Sequence, residues 1–132
     1  MRKTLLAAAV VVGAAANPAT AAPGEYQQFC NAFATGNKSC AAGLAQTFST
    51  SVVQAMFCKV DDTRVDWFAK LAFVMIDTVA IDPNDAQQAK SIFKATGLFM
   101  IDSYKNGTMS LPPCSEILAH FTSIEKKFKS GG

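Results

Sequence analysis

Four cysteines, one histidine and a group of aspartates are the side chains through which this 132-residue chain could do chemistry. The cysteines stand at Cys30, Cys40, Cys58 and Cys114. A zinc site favours close cysteine pairs or added histidines, because one turn must offer two ligands to one ion. Here the closest pair has nine residues between its members, and the only histidine is His120. A thioredoxin-like redox pair needs Cys-x-x-Cys, which is absent. No metal and no cofactor is expected. Nucleophilic catalysis needs a nucleophile, a base and an orienting partner. His120 sits beside the apolar Phe121 with no such signature around it, so no catalytic residue is assigned and no enzyme is expected. The carboxylates Asp61, Asp62, Asp66, Asp77, Asp82 and Asp85 fall mostly at helix starts, where the helix dipole favours them. Their spacing lacks the alternation of an EF-hand loop.

What remains for the cysteines is two disulfides, and the first residues supply a compartment for them. Arg2 and Lys3 are followed by an uncharged apolar run, Leu5 to Ala16, and then by small residues. That order is the anatomy of a secretory signal peptide, and the run is too short to span a bilayer comfortably. Ala19 and Ala21 satisfy the signal peptidase if cleavage follows Ala21. The expected organisation is a leader over 1–21 and a single helical domain over 22–132. The chain is expected to be periplasmic or secreted, where disulfides persist, with no stable membrane span after cleavage. The full chain has 12 basic and 10 acidic residues. Arg2 and Lys3 leave with the leader, so the mature chain carries ten of each and no net charge. A neutral chain lacks the electrostatic footprint of a nucleic-acid binder. The one basic cluster, Lys126, Lys127 and Lys129, reads as a solvated helix end.

These features rest on elements that all read as helical. No run alternates with period two for long enough to suggest a strand. Glu25 to Ala34 predicts a short first helix, stopped by Gly36-Asn37. A second spans about 39–57, with Leu44, Phe48, Val52 and Met56 four apart on one face. Thr63 and Asp66 suggest a capping box before a third helix over about 64–80, the most apolar segment and therefore the expected centre of a bundle. Asp82-Pro83 marks the next start, with Asp82 capping and Pro83 at the first helical position. The fourth helix runs to about Tyr104, with Ala89, Ile92, Phe93, Phe99 and Met100 inward, and Asn106-Gly107 stops it. Lys105 to Pro113 is the longest connection. A fifth helix follows, with Ile117, Leu118, Phe121, Ile124 and Phe128 inward. Asn37-Lys38-Ser39 and Asn106-Gly107-Thr108 match the glycosylation acceptor pattern but read as turns. The fold expected is all-α, a compact four- to five-helix bundle stapled by two disulfides.

Helix length limits how the cysteines pair. Cys40 and Cys58 at opposite ends of one helix are about 27 Å apart, whereas bonded cysteines hold their Cα atoms within about 7 Å. Two connectivities survive. Cys30–Cys40 with Cys58–Cys114 closes the first helical turn and ties the second helix to the fifth. Cys30–Cys58 with Cys40–Cys114 requires residues 31–38 to run back along the second helix, and is the less favoured. In the first arrangement the two loops contribute roughly 3 and 4 kcal/mol on the chain-entropy account.

Phe29-Cys30, Cys40 followed by Gly43, Phe57-Cys58 at a helix end and Pro113-Cys114 recur in an order that resembles the Rap/Tai-type immunity proteins. These are small periplasmic helical proteins that protect bacteria from type VI secretion amidase effectors. The likeness covers about residues 26–114. Gly43 stands one residue further from Cys40 than the family pattern, and Leu44 occupies a position where the family tends to have Tyr. The resemblance implies a protein partner, an amidase effector whose cleft receives a loop between helices. By position, that loop is Tyr104, Lys105, Asn106 and Met109 here. The expected function is therefore a disulfide-stapled immunity protein that inhibits a peptidoglycan amidase by occluding its active-site cleft. Two alternatives come from the same composition. One is a periplasmic acid-stress chaperone, which would expose apolar surface near pH 2–3. The other is a carrier of a lipid or apolar small molecule, since ten phenylalanines and five methionines are generous for a chain of this size. A homodimer is compatible with all three.

Overall fold

A computed structural model describes residues 23–129 apart from 35, 37 and 38. The leader expected over 1–21 and Asn37-Lys38 of the first acceptor triplet lie outside the described residues. Five helices follow one another: α1 (Pro23–Asn31), α2 (Cys40–Phe57), α3 (Asp62–Val79), α4 (Pro83–Asn106) and α5 (Cys114–Lys129). The all-α bundle with two disulfides is the architecture observed.

Local chemistry sets the helix ends. Ser39 caps α2, its hydroxyl oxygen accepting from the Ala42 amide at 3.1 Å. At the other end Lys59 takes a left-handed conformation, φ 63°. Its amide donates to the Met56 carbonyl at 3.1 Å, and the Val60 amide reaches the Ala55 carbonyl at 3.0 Å. This is a Schellman ending, with lysine where glycine is the usual choice. Asp82 caps α4 as expected, accepting from the Asp85 amide at 2.8 Å, and Pro83 opens the helix. The capping box expected at Thr63 and Asp66 does not form. The helix begins at Asp62, which places Thr63 inside the first turn, its hydroxyl donating to the Asp61 carboxylate. Asp66 pairs instead with Lys70 at 2.9 Å, one turn along.

α2, rather than the more bulky α3, holds the centre. Its buried residues Ala41, Ala42, Gly43, Leu44, Ala45, Phe48, Ser49, Ser51, Val52, Val53 and Ala55 occupy more than one face. Large apolar residues need space, whereas small ones let several helices approach one helix closely. α3 buries one stripe, Trp67, Phe68, Leu71, Ala72, Met75, Ile76 and Val79. α4 runs parallel to α2. The Ser39 hydroxyl donates to Asp85 at 2.8 Å near their starts, and the Ser49 hydroxyl to the Phe93 carbonyl at 2.5 Å midway. Gln54 donates to the Tyr104 hydroxyl at 3.1 Å near their ends. Gly97 permits this approach, since a Cβ there would stand 3.1 Å from the Ser49 Oγ.

Aromatic rings fill the middle. Phe68 stacks on Phe121 of α5 with centroids 4.5 Å apart and lies 4.9 Å from Phe48 of α2. Phe128 of α5 meets Phe29 of α1 at 5.1 Å and Tyr26 at 5.7 Å. Arg64 and Glu125 clamp α3 to α5 through two hydrogen bonds, 3.0 and 2.6 Å. Three residues expected inward face solvent instead: Met56 is 49% exposed, Phe99 62% and Leu118 37%. Met56 borders an open groove with Val65, Asp66 and Ala69 of α3, and Phe99 and Leu118 lie at the edges of their apolar stripes.

Candidate binding surface

The disulfides take the first of the two surviving connectivities. Cys30 bonds Cys40 with Cα atoms 5.4 Å apart, and Cys58 bonds Cys114 at 5.6 Å. None of the four is free to act as a nucleophile or a ligand. The pairs fit an extracellular or periplasmic protein. No described helix is long and apolar enough to cross a membrane.

Gly43 explains why the first staple has the form it has. After α1 the chain doubles back over the start of α2, and a Cβ on Gly43 would stand 2.0 Å from the Phe33 carbonyl oxygen. Cys30–Cys40 therefore closes a turn that lies directly on the helix it precedes. At the far end of the bundle, Cys58–Cys114 joins the Schellman ending of α2 to the first residue of α5.

Between that bond and α4 lies the connection expected to meet a partner. α4 continues to Asn106, so Tyr104, Lys105 and Asn106 form its last turn, and Met109 alone of the four sits in the loop. Tyr104 is half-buried, held by Gln54 and by an edge contact with Phe57 at 5.4 Å. These contacts hold the end of α4 against the end of α2. Lys105 and Asn106 are exposed. Asn106 Nδ2 donates to Asp102 at 3.3 Å, while its Oδ1 accepts from the Thr108 amide at 2.8 Å and from the Thr108 hydroxyl. Gly107 adopts φ 78°, the left-handed cap that reverses the chain. The Met109 amide then returns to the buried Ser103 carbonyl at 3.2 Å, leaving the Met109 side chain 38% exposed. The loop is thus ordered from both sides, by the cap before it and the disulfide after it.

The other candidates for chemistry are dispersed. His120 is exposed on α5. Asp77 pairs with Lys90 at 2.7 Å across an open groove lined also by Ala80, Pro83 and Ala86. Asp85 accepts from Ser39 and from the Ile81 amide at 3.0 Å, so it ties the start of α2 to the α3–α4 turn. No group of three metal-ligating side chains occurs among the described residues. Among the described residues two ionisations are displaced by structure. Burial, aided by nearby Glu25, pushes the Tyr26 phenol up to about 12. The hydrogen bonds from Arg64 to Glu125 raise the guanidinium further above its ordinary value.

One surface escaped the sequence reading. Leu98 and Phe99 stand in water on α4, 71% and 62% exposed. The spacing of the buried residues Ala89, Met100 and Ser103 could have located it, because Leu98 falls on the opposite side of that arc. Serine at the inward position 103 and phenylalanine at the outward position 99 mask the pattern. Compared with family models, curated proteins and solved structures, the chain finds no match.

Proposed function

We propose that the chain acts by binding rather than by catalysis, as a periplasmic or secreted immunity protein that inhibits a type VI secretion peptidoglycan amidase by occluding its active-site cleft. The observation that carries this reading is the cysteine framework. The pairing Cys30–Cys40 and Cys58–Cys114 uses, in order, the positions on which the resemblance to the Rap/Tai-type proteins rests. Gly43, one residue further from Cys40 than the family pattern has its glycine, is required here by the turn that the first bond closes. The segment 105–110, the last two residues of α4 and the start of the loop after it, supports the reading further. It is exposed and held at both ends, so inserting it into a cleft costs little ordering entropy. Lys105, Asn106 and Met109 are the side chains it offers, with Tyr104 as their anchor. The leader over 1–21 belongs to the same reading, since the target of such an enzyme lies outside the cytoplasm.

The carrier alternative loses its main support in the core. The rings that would line a cavity contact one another, Phe48 with Phe68 and Phe68 with Phe121.

The test begins with the gene's neighbourhood, where a small secreted cysteine–histidine amidase is expected, and continues with a titration of the mature protein against that enzyme, followed by peptidoglycan hydrolysis. Stoichiometric inhibition is expected. Met109→Ala should weaken binding without lowering the melting temperature; Asn106→Ala should also weaken it, but it removes the Thr108 contacts too. A neighbouring amidase that hydrolyses at full rate in the presence of excess protein overturns the reading.

A further inference from the structure

The two disulfides share one feature and differ in another. In each, one cysteine opens a helix: Cys40 is the first residue of α2 and Cys114 the first of α5. A sulfur at that place leaves readily as a thiolate, because the positive end of the helix dipole stabilises the charge. To expel it, an incoming thiol must attack the other sulfur of the pair. Cys30 has no exposed surface and sits in the apolar core, so in the first bond that attack is blocked. Attack at Cys40 instead would leave a thiolate at Cys30, where apolar surroundings disfavour it. Cys58 is half-buried, and the second bond can be entered from water.

Opening the second bond has a local effect. Ser110 to Pro113 donate no backbone–backbone hydrogen bond among the described residues, and Pro112 and Pro113 have no amide hydrogen to give. The bond at Cys114 therefore holds the far end of the 107–113 segment. α5 itself has other ties: Phe121 on Phe68, Glu125 to Arg64 and Phe128 on Phe29. They begin about two turns beyond Cys114 and stay in place when the bond opens.

We propose that Cys58 is a thiol-exchange site, and that the Cys58–Cys114 bond is a latch on the 107–113 loop. A dithiol opens it while Cys30–Cys40 and the bundle stay intact. One thiolate of the dithiol attacks Cys58 Sγ. A mixed disulfide forms, the Cys58–Cys114 bond breaks, and its electron pair leaves on Cys114 Sγ. The second thiolate of the reductant then attacks the reductant's first sulfur, closing the oxidised dithiol and expelling the Cys58 thiolate. Two electrons pass to the protein, and the two thiol protons of the dithiol are available to the two cysteines. A disulfide oxidant reverses both steps. The loop is thus set where disulfides form and slack where dithiols prevail. The consequence for partner binding rests on the function proposed above, since the loop is ordered for a cleft only in the oxidised form.

Partial reduction of the mature protein by dithiothreitol, quenched by alkylation and mapped by mass spectrometry, provides the test. Cys58 and Cys114 should become alkylatable at least about tenfold faster than Cys30 and Cys40. After brief exposure to glutathione, a monothiol, the mixed disulfide should be found on Cys58 and the alkyl group on Cys114. In the protein reduced at this bond alone, hydrogen exchange should rise at the amides of 107–111 and not in α2 or α3. Equal reduction of both bonds, glutathione on Cys114, or 107–111 amides that stay protected each overturns the proposal. So does exchange that rises through α2 and α3 together, because the bond would then hold the whole fold. Against the amidase, the partly reduced form should bind about tenfold more weakly and recover on reoxidation with oxidised glutathione. Equal affinity of the two forms overturns the role of the latch in binding. An oxidised protein that binds no amidase overturns the immunity reading instead, and the latch then stands or falls on the first three readouts.

Discussion

Replacing Gly43 with alanine tests the tightest of the glycine sites among the described residues. The new Cβ would stand 2.0 Å from the Phe33 carbonyl oxygen and 3.1 Å from the Phe33 Cβ. Ordinary contact is roughly 3.3 Å or more, so the carbonyl would have to retreat by more than about 1 Å. It cannot do so alone. The Phe33 amide is bonded to the Cys30 carbonyl at 2.8 Å, and Cys30 is bonded to Cys40 at the start of the same helix. Two effects compete. Alanine in a helix interior is favoured over glycine by about 1 kcal/mol. Forcing an extra carbon into a packed contact costs about 1–3 kcal/mol, and a clash against tethered backbone lies at the upper end. The net expectation is destabilisation by about 1–2 kcal/mol, or roughly 5–10 °C in melting temperature. Urea unfolding followed by far-UV circular dichroism, with both disulfides intact, reads it directly. Gly24→Ala in α1 is the control, because nothing lies within 4 Å of a Cβ at that position. It should be neutral or stabilise by a few tenths of a kcal/mol. A Gly43→Ala protein more stable than wild type, with an unchanged denaturant slope, would refute the reasoning, since helix propensity would then have won and no close contact would exist.

Phe68→Ala removes a ring with no exposed surface, stacked on Phe121 and tilted against Phe48; a loss of about 4 kcal/mol in chemical denaturation is expected. The Tyr26 phenol is raised on folding, so its contribution is complete below its unfolded value near 10 and is lost as pH climbs toward about 12. Stability should therefore fall over that alkaline window, and Tyr26→Phe should flatten the fall measured by the same denaturation. Replacing Cys58 and Cys114 together by serine opens the larger loop, for a loss of about 4 kcal/mol, and hydrogen exchange should show the 107–113 segment freed before α2 or α3. Lys59→Gly relieves a left-handed lysine at the end of α2 and should raise the urea midpoint by about 0.5 kcal/mol in stability.

Local signals carried most of the helical architecture. Asp82-Pro83 and Asn106-Gly107 announce the two ends of α4 because capping and left-handed turns depend on residues adjacent in the chain. Cysteine spacing removed one connectivity, because a helix of known rise cannot bring its own two ends together. Where the sequence misled, the cause was a partner helix that a one-dimensional pattern does not contain. Thr63 and Asp66 had the spacing of a capping box, but the turn leading from Lys59 starts α3 earlier. Met56, Phe99 and Leu118 had the spacing of core residues, yet each keeps more than a third of its surface in water.

By itself, then, the sequence determined the helical class, the disulfide chemistry and the positions of the breaks, all of which rest on side chains close along the chain. The tertiary structure decided which helix is central, because α2 earns that place through small residues whose value shows only when neighbours approach. It decided that Tyr104 is an anchor, by setting Gln54 and Phe57 beside it. It also left Leu98 and Phe99 in water, because burial is a property of what lies across from a residue and not of the residue alone.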